Sequence, residues 1–203
     1  PKGAFFLKNL QNRGKIEENH AKAGVARREV PMILETPRLG LRRLTQEDFP
    51  ALCRTLQDPV AMTAYEGAFS DGEVQAWLDR QLDRYAQYGN FGLWAVIERE
   101  SGLFVGQCGL TLQSWKGAEV LEIGYLFQRD RWHRGYATEA ARACKAYAFD
   151  TLGAAEVSSI TRDANLPSQR VALRNGMTPR DTMVKHYRGV EMPHTRYAVS
   201  RTE

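Results

Sequence analysis

The apolar run Val120-Leu121-Glu122-Ile123-Gly124-Tyr125-Leu126-Phe127 predicts a buried strand over residues 119–127. Residues 92–98 and 103–112 read as two strands before it. Turn formers Glu100-Ser101-Gly102 and Lys116-Gly117 separate the three, so they form an antiparallel meander. Leu39, Leu41 and Leu44 mark a first strand within residues 38–44, and residues 177–187 and 192–200 predict a final hairpin across Gly189. A strand at 156–161 follows a helix, and the handedness rule for strand–helix–strand units makes it parallel to 119–127. Thr45 caps one helix, which Asp58-Pro59 stops, and Asp71 is expected to cap a second. That second helix carries Val74, Trp77, Leu78, Leu82 and Tyr85 at helical spacing. A third helix spans 139–152, with Ala137, Ala140, Ala141, Cys144 and Ala148 as a small-residue stripe that lets it lie close to a sheet. A fourth runs from Asn165 towards Met177, with Pro167 in its first turn and Gly176 at its end. The sum is an α/β chain: one domain with a mixed, mostly antiparallel sheet of about seven strands, flanked by helices.

Between the apolar strand and the third helix lies Arg129-Asp130-Arg131-Trp132-His133-Arg134-Gly135-Tyr136-Ala137-Thr138. Strand, short basic loop and helix start aim several backbone N–H groups and a positive dipole end at one point outside the sheet. A pyrophosphate suits that point. Gly135 permits positive φ or close approach of a ligand, Ala137 adds little bulk, and Arg129, Arg131 and Arg134 offer charge-assisted donors. The chain has neither the Walker string G-x-x-x-x-G-K-[ST] nor the dinucleotide fingerprint G-x-G-x-x-G.

What remains, x-x-G-x-A opening a helix after a strand that holds an acid, resembles the acetyl-CoA loop of the GNAT N-acetyltransferases. Trp132-x-x-Gly135-Tyr136-Ala137-Thr138-Glu139-Ala140 is most similar to the RimJ/RimL-type branch, which acetylates ribosomal-protein N-termini. His133 stands where that branch usually has Gly. The resemblance extends to Asn165, Ser168 and the Gly176-Met177 pair. It implies acetyl-CoA as cosubstrate and a strand pair that splays after Phe127. The pantetheine would lie in that splay, and a backbone N–H near Leu126 or Phe127 would bond the thioester carbonyl. By the same resemblance Asn165 holds the pantetheine arm and Ser168 lies near the sulfur. Many family members carry a tyrosine seven residues after this Asn as proton donor; here the position is Ala172, so that role does not transfer. Ser168, with Tyr187 and Tyr197 as alternatives, is expected to support the leaving thiolate, and Tyr65, Glu66 and Phe69 are candidates for the acceptor cleft.

Glu122 interrupts an otherwise apolar strand, where an ionised carboxylate is costly unless paired or wetted. Alternation places it with Val120, Gly124 and Leu126. It is either the base that takes the amine proton or a structural acid. At pH 7 an α-amine of pKa ~7.8 is about 15% neutral, and a lysine amine of pKa ~10.4 about 0.04%. That is a gap of about 3.5 kcal/mol in the reactive form, so a single base favours an α-amine.

Charge narrows the partners. The net charge of +4 over 203 residues lies in residues 1–31, which hold seven Lys/Arg against three Glu. The remaining chain holds 21 of each sign, which argues against a nucleic-acid surface. No apolar run spans a bilayer. Cys53, Cys108 and Cys144 lie far apart and read as small core residues of a reducing, cytoplasmic compartment. Neither they nor His20, His133, His186 and His194 form a metal pattern. Residues 1–31 read as an N-terminal extension or an expression-derived segment before the acetyltransferase domain of 32–203, and Phe5-Phe6-Leu7 would need burial, for instance against a second copy in a homodimer. The expected activity is direct acetyl transfer to a primary amine, best a protein or peptide N-terminus. Two alternatives stand beside it: a small-molecule amine (amino acid, polyamine or aminoglycoside) as acceptor, and a non-catalytic acyl-CoA-binding module.

Overall fold

The computed structural model describes residues 30–202. The expectations for residues 1–29, including the Phe5-Phe6-Leu7 patch and His20, lie outside the described residues. Strands β1 (Met32–Glu35) and β2 (Leu39–Arg42) open the chain, followed by helices α1 (Phe49–Leu56) and α2 (Asp71–Tyr88). The meander is β3 (Gly92–Glu98), β4 (Phe104–Trp115) and β5 (Ala118–Phe127). After it come α3 (Tyr136–Ala146), β6 (Glu156–Arg162), α4 (Leu166–Arg174), β7 (Thr178–Tyr187) and β8 (Val190–Ser200).

Eight strands join in one sheet in the order β1-β2-β3-β4-β5-β6-β8-β7, one more than the pattern predicts. The additional strand, β1, has four residues and carries no alternation long enough to register; pairing with β2 makes it a strand. Both predicted hairpin turns form with left-handed residue pairs that match strand twist: Lys116 (φ 50°) with Gly117 (φ 80°), and Arg188 (φ 49°) with Gly189 (φ 75°). The cap of α2 is Ser70, not Asp71: the Ser70 hydroxyl accepts the Glu73 N–H while the Glu73 carboxylate accepts the Ser70 N–H. A reciprocal pair satisfies two orphan donors where a lone Asp satisfies one. Helix α3 begins at Tyr136, three residues before the predicted start, and ends in a π-helical turn, Tyr147–Thr151.

β5 and β6 are the parallel pair, as expected, but they are joined through Glu122↔Ser158 alone. They part after Glu122, earlier than the expected divergence after Phe127. The Ile160 N–H, just beyond that pair, acts on the Glu122 carboxylate and lowers its pKa, where a backbone ladder would otherwise carry on.

Each layer of the sandwich is identified by a single contact. Gln107 on β4 accepts the Trp77 indole N–H from α2 at 3.0 Å, whereas its neighbour Cys108 meets Cys144 of α3 at 3.5 Å between sulfurs. Successive strand residues face opposite ways, so α1 and α2 cover one face and α3 and α4 the other. The predicted small-residue stripe holds: Ala140, Ala141, Cys144 and Ala148 are all buried and bring α3 close to β4 and β5.

Candidate active site

The strand-to-helix turn is held from below. Arg38, on the β1–β2 connection, donates Nη1 to the Arg134 carbonyl at 2.9 Å and stacks 4.9 Å from the Tyr136 ring centroid. Its guanidinium Nε bonds Glu139 of α3 at 2.7 Å, and Glu139 also takes the Thr36 hydroxyl at 2.7 Å. These bonds hold the Glu139 carboxyl below the usual carboxylate range against the burial that would raise it. Arg131 is tied to Glu98 at 3.3 Å, and Glu98 also takes the Tyr136 hydroxyl. Of the three arginines offered as phosphate donors, Arg129 is thus engaged by Asp58 at 3.0 Å, and Arg131 serves first as a strut. Arg134 lies exposed with its carbonyl fixed.

Two left-handed residues shape the loop itself, His133 (φ 61°) and Gly135 (φ 78°). A residue with a Cβ at His133 explains the usual glycine of the resembled branch: the backbone needs positive φ there, and this chain keeps that conformation at a cost of roughly 1–2 kcal/mol. Gly135 is the N-cap of α3 and offers no capping side chain, so the first-turn N–H groups of Tyr136, Ala137 and Thr138 point outward without intrahelical partners.

They point into a cavity of about 640 Å³. Leu126, Phe127, Trp132, His133, Gly135, Ala137 and Thr138 line it together with Asn165 and Ser168. The strand-to-helix turn and the start of α4, far apart in sequence, thus share one groove. Four arginines line it (Arg131, Arg162, Arg170 and Arg174) and no Asp or Glu does. Arg170 and Arg174 are one helical turn apart on α4 and make no ion pair among the described residues. Sequence reading passed over both; their i, i+4 spacing on the helix that begins at Asn165 was the available signal. The Asn165 carboxamide oxygen is already used as the α4 cap, accepting the Ser168 N–H at 3.2 Å, which leaves its NH₂ for a ligand.

Glu122 is not among the lining residues; it sits on the α1/α2 face of β5, half-buried. Desolvation pushes its carboxyl above the usual carboxylate range, opposed by Lys185, the Ile160 N–H, and the Thr111 and Gln113 side chains. On the same face Tyr65, Phe69 and Trp77 pack edge-to-face with centroids 5.9 to 6.1 Å apart. Burial raises the Tyr65 phenol, and the charges of Glu122 and Tyr187 raise it further. Glu66, left-handed at φ 56°, is clasped from the far side. Arg162 pairs with its carboxylate and with the Thr63 carbonyl at 3.1 Å, and Arg188 reaches its carbonyl at 3.3 Å. Tyr187 shares the Arg188 guanidinium with Phe69, 5.6 Å and 5.4 Å from the two ring centroids, and neither it nor Tyr197, buried in β8, lines the cavity with Ser168. No group of three or more His, Cys, Asp or Glu able to hold a metal occurs among the described residues. No helix among them is long and apolar enough to cross a membrane.

The family model described as an acetyltransferase (GNAT) domain matches residues 38–178. The uncharacterized protein YkkB of Bacillus subtilis is 36% identical over 145 residues, covering 71% of this chain and 84% of its own length. The FsC-acetyl coenzyme A-N(2)-transacetylase of Aspergillus fumigatus is 31% identical over 185 residues, covering 84% of this chain and 77% of its own. Among solved structures, RimL, a ribosomal L7/L12 alpha-N-protein acetyltransferase in complex with coenzyme A, superposes with a TM-score of 0.67 at 17% identity, covering 84% of this chain and 98% of its own. That last likeness is one of fold. An arginine-lined groove running from a helix N-terminus to a divided parallel strand pair lies in a chain that matches this family over most of its length: the chain belongs to the GNAT acetyltransferases, enzymes that use acetyl-CoA to acetylate an amine.

Proposed function

We propose that this enzyme transfers acetyl from acetyl-CoA directly to the α-amine of a peptide or protein N-terminus. The observation that carries the reading is the groove: it has phosphate-sized donors at the start of α3, four arginines and no acid along it, and Ser168 at the start of α4. Glu122 stands across β5 from it. The N–H groups of 136–138 take the diphosphate, helped by Arg170 and Arg174. The Asn165 NH₂ holds the pantetheine, and a backbone N–H at Leu126 or Phe127 meets the thioester oxygen. Glu122 takes the amine proton. Its raised pKa brings it nearer the pKa of the amine it serves, which suits a base at neutral pH.

The acceptor follows from charge and proton supply. Lys185 acts on Glu122 and Glu122 on Arg84, so cations stand near this carboxylate, which disfavours a polycation such as a polyamine or aminoglycoside. A single half-buried carboxylate suffices for an α-amine and falls short by about 3.5 kcal/mol for a lysine. The RimL fold neighbour, which acts on an α-amine, supports the same acceptor. A second reading, an amine on a small molecule, is favoured by the name of the Aspergillus relative.

The test is a panel of acceptors at fixed acetyl-CoA, read as free thiol release. It holds peptides with free N-termini, the same peptides blocked at the N-terminus with one free lysine, amino acids, spermidine and an aminoglycoside. Turnover highest on free N-termini is expected. Turnover confined to spermidine or the aminoglycoside would overturn the acceptor assignment.

A further inference from the structure

Tyr125 is a cavity residue for which the mechanism above has no use, and sequence analysis treated it as a core position. It lies three residues after Glu122 on β5, hence on the opposite face of the sheet, beside α4. Its hydroxyl donates to the Ser168 carbonyl at 2.9 Å and lies 3.1 Å from the Ser168 hydroxyl and 3.4 Å from that of Ser159. β5 and β6 separate just beyond Glu122↔Ser158, so a thioester in the opening meets the carboxylate on one face and the phenol on the other. Glu122 and Tyr125 are close enough for the charge of one to act on the other.

Direct transfer asks for two polar groups on different sides of the carbonyl carbon, one to receive a proton from the entering nitrogen and one to receive charge at the departing sulfur. On the sulfur side the structure offers Ser168 and Tyr125; position 172 is a buried alanine, and Tyr187 lies on the other face. Of the two, the phenol is the stronger hydrogen-bond donor. Both serine hydroxyls are placed to donate to its oxygen, which polarises its O–H further.

We propose that Tyr125 is a catalytic residue of the transfer, its O–H turning from the Ser168 carbonyl to the coenzyme sulfur as the carbon–sulfur bond breaks. The inference rests on the acetyl-CoA reading above. The amine lone pair forms the C–N bond, the C–S pair goes to sulfur, and the amine proton goes to Glu122 and then to solvent. Burial pushes the Tyr125 phenol up to about 12, against ~8.5 for a thiol, so its proton stays on oxygen. The coenzyme leaves as a thiolate held by that O–H and takes its proton from water.

Y125F removes only the hydroxyl. The expected result is a kcat lowered roughly 10- to 100-fold, the range for losing one hydrogen bond to a charged group, with KM for acetyl-CoA and its binding within about twofold. The acid limb of the pH profile, which belongs to Glu122, should not move. Replacing Tyr125 with fluorinated tyrosines of lower phenol pKa supplies the control: kcat should track donor strength, which a packing role would leave flat. Y125F with kcat within twofold of the wild type, or fluorinated variants indifferent to phenol pKa, overturns the proposal. Thiol release to water from acetyl-CoA reads the same bond breaking, so the comparison survives a silent acceptor panel. A wild-type chain that does not bind acetyl-CoA at all would overturn the functional reading and this inference together. A wild type that turns over while Y125F matches it would overturn this inference alone.

Discussion

The two faces of β5 are built from different materials. Towards α3 and α4 the groove presents backbone donors from two local motifs, the exposed helix N–H groups after Gly135 and the α4 cap at Asn165, with arginines along it. Arg38, Glu139, Glu98 and Arg131 hold it from beneath. Towards α1 and α2 the proposed acceptor side is made of large side chains from distant segments: Tyr65 and Phe69 from one loop, Trp77 from α2, Glu122 from β5 and Tyr187 from the last hairpin. Arg162 and Arg188 clasp the loop to the strands. A backbone site recognises what every substrate pair shares, the coenzyme. A side-chain site is free to vary with the acceptor.

The comparison breaks most sharply at Glu122. E122Q should lower kcat/KM by roughly 10²- to 10³-fold at neutral pH, the scale of general-base catalysis. The folded-state pKa of Glu122 is raised, so the active, ionised form accumulates only above the usual carboxylate range, and activity should rise with pH through that limb. The same shift means that ionising Glu122 costs folding free energy above its unfolded pKa. E122Q should therefore raise Tm at pH 7 and leave it unchanged at pH 3, as thermal melts at the two pH values will show. A variant that loses neither activity nor the acid limb would reduce Glu122 to a structural acid.

On the coenzyme side, G135V places a β-branched residue at φ 78°. It should raise KM for acetyl-CoA by roughly tenfold or more and cost about 1–2 kcal/mol of stability, read by denaturant titration. R170A/R174A should raise KM for acetyl-CoA several-fold with kcat intact and flatten its dependence on salt, because both cations are exposed and make no ion pair among the described residues. On the acceptor side, E66Q should change the acceptor KM by about two- to fivefold and leave that of acetyl-CoA alone; parallel effects on both would merge the two sites into one. The smallest effect belongs to H133G. Relief of the left-handed strain is offset by the backbone entropy of glycine, and the net change in stability should stay within about 1 kcal/mol.

Most of the fold and the coenzyme site could be read from residue order because they depend on short-range patterns. Alternation in 119–127, the turn pairs Lys116-Gly117 and Arg188-Gly189, and the x-x-G-x-A loop are each written within a dozen residues. β1 escaped because four residues carry no period, and the α2 cap because Ser70 and Asp71 are both capping types and only geometry chooses between them. Alternation also put Glu122 and Tyr125 on opposite faces from the start.

What sequence alone determined is the meander, the parallel pair and the closing hairpin, the helix that opens on a glycine, and the family. Backbone conformation and near-neighbour spacing are local properties of a chain. What only the tertiary structure decided is where long side chains from distant segments end. It seated Arg129 on Asp58, drew Tyr187 to Tyr65, brought Arg170 and Arg174 into the groove, and set Tyr125 against Ser168 where the strands part. Those outcomes turn on a few ångströms between segments tens of residues apart, and packing sets such distances only when the whole sheet has closed.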